Sequence, residues 1–193
     1  MPGNAWAVSA SGNGKVMAWF KPNGSLYDLY IGGDGGVWAD QSCEDIFSHY
    51  INAERFAFEN SFHTDKVENM YYMFFCCKSL KELNLSTLNT ANVTTMDSMF
   101  RDCEALSKLN MDNCDTSRVK DMDEMFHGCH SLKELDLSSF DTSNVRDMGF
   151  MFNQCAALSN LELSKYFITV NTEDTFAMFS NCPAGDKWGH LEH

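Results

Sequence analysis

The chain has 193 residues, 44% of them hydrophobic and 21% charged, with a formal net charge of −13. That length and composition suit one domain with a substantial core and exclude a disordered tail. The negative field repels phosphate backbones, the 14 Lys and Arg are scattered singly, and no apolar run approaches the roughly 18–20 residues of a membrane span. Neither a nucleic-acid partner nor a span within this chain is expected.

The opening MPGNAWAVSASG lacks the basic flank and apolar stretch of a signal peptide. Strands are predicted at Ala5–Val8, Val16–Phe20 and Leu26–Ile31, separated by the turn signals SGNG and KPNG. GGDGG at Gly32–Gly36 reads as a flexible turn. Ser42–Tyr50 predicts one short helix capped by Ser42 or Asp40, and Phe56 and Phe58 alternate like the strand of an incomplete first repeat. Trp6, Trp19 and Trp38 suit a large apolar plug over the first repeat. Residues 1–62 are therefore expected to form an N-terminal β-rich cap with one short helix.

From there the sequence repeats every 26 residues. Thr64, Thr90, Thr116 and Thr142 form one column, and Val67, Val93, Val119 and Val145 the next. Met70, Met96, Met122 and Met148 follow, then the Met-Phe pairs beginning at Met73, Met99, Met125 and Met151. Cys77, Cys103, Cys129 and Cys155 come three residues after each Phe, and two Leu columns, from Leu80 and Leu83, close the unit. Val93, Met96, Met99, Phe100 and Cys103 lie on one face of a helix of about three turns, with Thr90 as its N-cap. Leu106, Leu109 and Met111 tighten to alternation and predict a short strand. The expected fold class is an α/β repeat solenoid, a leucine-rich-repeat-like stack of strand-loop-helix units. Helices about 8–10 Å apart behind strands about 4.8 Å apart would curve it. Four repeats plus a degenerate capping repeat span 63–183; in the last, Thr172 and Thr175 replace Val and Met, and Pro183 stops the pattern. The ending GHLEH resembles the stub of an expression tag, so 184–193 is assigned to a tail.

The unit LKELDLSSFDTSNVRDMGFMFNQC at Leu132–Cys155 resembles the BspA-type leucine-rich-repeat surface proteins of bacteria, a group also described as a mycoplasma domain of unknown function. The resemblance covers roughly Phe56–Pro183. It implies a secreted or surface-attached protein that adheres to host components or other cells without catalysis.

Chemistry outside the repeat is sparse. The Cys column reads as buried thiols, with disulfides or metal as the alternative. Cys43 and Cys76 break the pattern and read as two unpaired thiols, with one disulfide in an oxidising environment as the alternative. His127, Cys129 and His130 have superficial metal-ligand spacing, but the histidines read as solvated turn residues. No metal, cofactor or catalytic constellation is expected. Because side chains alternate along a strand, two rows must face outward: Glu82–Lys108–Glu134–Asn160 and Asn84–Asn110–Asp136–Glu162. These eight are the candidate ligand-binding residues. The first row alternates in sign, and the second is acidic and expected to lack internal partners. The predicted function is a non-enzymatic binding scaffold for a protein or host surface component, with a carbohydrate ligand as the alternative.

Overall fold

A computed structural model describes residues 6–7, 16–23, 26–33, 36–58 and 62–193. An antiparallel sheet opens the chain, with β1 (Trp6–Ala7) on β2 (Val16–Asn23) and β2 on β3 (Leu26–Gly33); the three strands fall in the segments expected, and β2 runs on through Lys21–Asn23 of the KPNG signal. The SGNG turn, the centre of GGDGG and the side chains of Trp6 and Trp19 lie outside the described part. Parallel pairing comes next: β4 (Val37–Trp38) with β6 (Phe62–His63), and β5 (Arg55–Phe56) with β7 (Glu82–Asn84), which pairs with β8 (Lys108–Asn110). β9 (Glu134–Leu137) pairs with β10 (Asn160–Leu163). The repeat strands therefore sit at the Leu positions the sequence marks.

The helices do not form. Among the described residues the helical segments are α1 (Gly185–Trp188) and a 3-10 turn at Gly189–Leu191, so an α/β solenoid of strand-loop-helix units is overturned. The Met-Met-Phe-Cys stretch is a run of tight turns. Two residues in each unit have positive φ, four apart: Tyr72 and Cys76, Ser98 and Asp102, Glu124 and Gly128, Phe150 and Gln154, Ala177 and Asn181. An α-helix contains no such residue. The amides also go elsewhere. Met70, Tyr72, Phe74 and Cys76 donate to the carbonyls of Thr95, Asp97, Met99 and Arg101 in the next unit, at 2.9–3.2 Å. The amides between them close short turns instead, Met73 onto Met70, Phe75 onto Tyr72 and Cys77 onto Phe74. Successive four-residue turns return every third or fourth side chain to the inside, so their apolar pattern mimics a helix.

Spacing settles the matter independently. Packed helices would hold equivalent side chains about 8–10 Å apart. Here the Phe rings form one ladder, Phe74–Phe100 at 5.7 Å, Phe100–Phe126 at 5.5 Å and Phe126–Phe152 at 5.5 Å, all nearly parallel. It continues to Phe179 at 5.2 Å and begins at Phe47, 5.5 Å from Phe74. Ser42–Tyr50 is thus the turn side of an additional unit rather than a capping helix. Asp45 and His49 carry its positive φ values, and Ser42 bridges to Asn69.

The polar columns serve the same stacking. Thr64, Thr90 and Thr116 donate their hydroxyls to the carbonyls of Asn89, Asp115 and Asp141 in the following unit at 2.9–3.0 Å. The column thiols donate backwards: Cys77, Cys103, Cys129 and Cys155 reach the carbonyls of Phe47, Phe74, Phe100 and Phe126 at 3.0–3.3 Å. A small apolar side chain with a weak donor fits such a site, where an unpaired buried carbonyl would be costly. Residues 184–193 are part of the fold. Thr175 is fully buried and exchanges hydrogen bonds with the backbone of His193, while the Glu192 carboxylate accepts the Phe179 amide.

On the turn side, Asn69, Thr95, Asp121, Asp147 and Asp174 bridge from unit to unit. Stacking brings carboxylates together beside them. Burial raises the Asp97 carboxyl to about 6 and that of Asp123 to about 7, with Asp147 and Glu124 adding repulsion at Asp123. Gly149 belongs there because a Cβ would lie 2.9 Å from an Asp123 oxygen. Both groups hold protons more tightly folded than unfolded, where about 4 is usual. Their contribution is full below about pH 4 and is lost as pH rises through about 6 to 7. His127 opposes them because burial lowers its pKa, and hydrogen bonds that lower Asp115 and Asp136 make their contribution disappear in stronger acid.

This architecture has three measurable consequences. Far-UV circular dichroism should show a turn and strand spectrum without the paired 208 and 222 nm minima of a helical repeat. Cys77, Cys103, Cys129 and Cys155 should resist alkylation in the native protein, because burial raises each thiol pKa and hides the sulfur. Rapid modification of all four would contradict the ladder. The melting temperature should fall between pH 5 and pH 8, and Asp123→Asn should recover part of that loss at pH 8; a flat profile in both proteins would refute the carboxylate argument.

The candidate strand-side groove

All eight outward residues line one open groove of ≈ 790 Å³ on the strand side: Glu82, Asn84, Lys108, Asn110, Glu134, Asp136, Asn160 and Glu162. Alternation places them there. Leu83, Leu135 and Leu161 point inward and are buried, so their neighbours in each strand must point out. The groove also includes Arg55, Phe56, Phe58 and Thr87, which the outward rows omitted. The alternation of Phe56 and Phe58 was the available signal, because Arg55 stands in register with Glu82 and Phe56 with Leu83.

Partners within the rows differ from expectation. Glu82 pairs with Arg55 at 3.7 Å, while among the described residues Lys108 and Glu134 form no ion pair, so the alternating row attracts at one end only. Exposed pairs of this kind are worth roughly 0–1 kcal/mol. The second row does have internal partners. Asn84, Asn110 and Asp136 each accept the amide two residues on, from Ser86, Asp112 and Ser138, at 2.8–3.0 Å. Those bonds close the strand ends, and the Ser138 side chain, with its amide second, holds the Asp136 carboxyl below the usual carboxylate range. Glu162 lies 3.8 Å from Lys187 of α1.

The remaining candidates do not converge on the groove. Cys43 is buried and Cys76 half-buried, and both are free thiols. Cys43 holds the inward position of the Met70 column and Cys76 an outer turn. His127 is half-buried rather than solvated, and His130 bonds the Gln154 carbonyl at 2.9 Å. Among the described residues no group of three or more His, Cys, Asp or Glu is placed to hold a metal. Trp38 does not plug the core: it is 64% exposed and stacked on His63 at 4.1 Å between ring centroids.

Among the described residues no helix is long and apolar enough to cross a membrane. Comparison with characterised proteins gives no match, and comparison with solved structures gives none either. The family model for a Mycoplasma protein of unknown function, DUF285, matches twice, over residues 34–112 and 103–187. Together these segments take in every turn-and-strand unit described above, and the chain belongs to that family.

Proposed function

We propose that this chain is a binding module rather than a catalyst, and that it holds a protein partner in the strand-side groove. The observation that carries the proposal is that one groove collects both outward rows, leaving charged and amide groups on a frame of parallel strands. Extended faces of stacked repeats suit extended partners. The sequence resemblance to BspA-type surface proteins supports display outside the cell and adhesion to host components.

A carbohydrate ligand is the second reading, favoured by the exposed indole of Trp38, an aromatic face outside the groove. The deciding experiment is a solid-phase array of extracellular-matrix proteins, mucins and glycans, probed with the native chain and with the triple variant Glu82→Lys, Lys108→Glu, Glu134→Lys. All three side chains are exposed, so the melting temperature should stay within about 2 °C of the parent, as surface changes usually do. We expect a protein ligand whose binding drops at least about tenfold in the triple variant, on the order of 1.4 kcal/mol. Binding to glycans alone, lost in Trp38→Ala and kept in the triple variant, would overturn the protein reading.

A further inference from the structure

The groove is not uniform along its length. β5, β7 and β8 form one sheet and β9 and β10 another, so the strand ladder is interrupted between 108–110 and 134–137. On the turn side the same two units remain joined: Thr95 bridges to Asp121, and the amides of Met96 and Phe100 donate to the carbonyls of Asp121 and Met125 at 2.9–3.0 Å. The interruption is therefore local to the groove floor.

Local sequence changes accompany it. The corner filled by Leu88 and Phe140 in neighbouring units holds the smaller Cys114, preceded by Asn113 in the left-handed region with φ of 69°. Leu109 is half-buried at this step, whereas Leu83, Leu135 and Leu161 are buried. The middle of the groove thus offers an apolar side chain at a step where β8 and β9 lie side by side without pairing as one sheet.

Charge is concentrated at the same step. The ends of the groove are occupied by the Arg55–Glu82 and Glu162–Lys187 pairs. Lys108 and Glu134 stand on either side of the interruption without an ion pair among the described residues, and Asp136 is two residues from Glu134 on the same outward face. Asn84 and Asn110 use their carboxamide oxygens to close their own turns, which leaves their N–H2 groups as donors toward the groove.

From this arrangement we infer that the step between β8 and β9 is the contact centre of the groove, and that it takes an extended peptide segment carrying a basic side chain. The inference rests on the protein-binding reading above and narrows it. The main chain of such a segment accepts from the asparagine donors and lies over the step rather than within it, because β8 and β9 stay too close together to admit a strand between them. Its apolar face covers Leu109, and its guanidinium or ammonium group meets Glu134 and Asp136, with a carboxylate pair favouring a planar guanidinium.

The test is a titration of the 15N-labelled chain with an eight-residue peptide alternating arginine and serine, beside a counterpart alternating glutamate and serine. Amide resonances of 108–111 and 133–137 should shift with the arginine peptide and stay in place with the glutamate peptide. The double variant Glu134→Gln, Asp136→Asn should weaken the arginine peptide at least tenfold while leaving the melting temperature unchanged, because Asn at 136 keeps the turn bond that Asn84 and Asn110 make. Shifts gathered instead on the acidic turn side around Asp97 and Asp123, or equal affinity in the double variant, would overturn the inference. Any partner found on the array separates the two readings. Loss in the triple variant with full retention in the double variant overturns this contact centre and leaves protein binding in the groove standing. Retention in both overturns both.

Discussion

On the turn side, alternate backbone amides leave their own unit and donate to the next one, and that single habit dictates the rest of the molecule. A unit bonded in this way has no amides left for a helix, and it cannot close its own hydrogen bonding without a neighbour. Units must then lie at turn-to-turn spacing, near 5.5 Å between Phe rings. At that separation every residue sits directly over its copy. The repeat is the sequence-level image of this contact, since an inward side chain is selected to stack on itself.

Self-stacking treats different chemistries differently. Phe gains from it, because parallel rings bury one another's faces. Thr and Cys gain because each pairs a hydroxyl or thiol with a carbonyl of the adjoining unit, which satisfies a buried acceptor within the ladder. Carboxylates lose, chiefly because stacking buries Asp97 and Asp123 and secondarily because it gathers other carboxylates around them. Gly149 interrupts that acidic column where a side chain would collide with Asp123 and Asp147. On the strand side the conflict is avoided by alternation, with Arg55, Glu82 and Lys108 in register.

The parts legible in the sequence were those in which period and chemistry agree. Two-residue alternation at Leu83 and Leu85 has one structural meaning, so strand position, direction and the outward set derive from it. The spacing of Val93, Met96, Met99, Phe100 and Cys103 has two. A three-turn helix and a run of four-residue turns both bring positions three and four apart to one side. The residues that decide between them, such as Ser98, Asp102 and Glu124, carry positive φ without being glycine. Only Gly128 advertised the backbone bend at its position. Phe47 was missed for a related reason: it begins the ring ladder 27 residues before Phe74, but the unit around it lacks the Met-Met-Phe-Cys signature.

Legibility also separates fold from function. The inward columns are uniform because each must fit its own copy, and for that reason they carry no information about a ligand. Outward positions on the strands are free of that constraint. Glu82, Lys108, Glu134 and Asn160 put an acid, a base and an amide at one register position, and the fold accepts all of them. Where the inward columns also depart from their neighbours, with Met111 for Leu and Cys114 for Leu88 and Phe140, the strand ladder parts. A scaffold built from identical contacts can be distinctive only where it departs from identity. Lys108 and Glu134, which form no ion pair among the described residues, fall beside that departure, so the proposed contact centre and the irregularity occupy the same step.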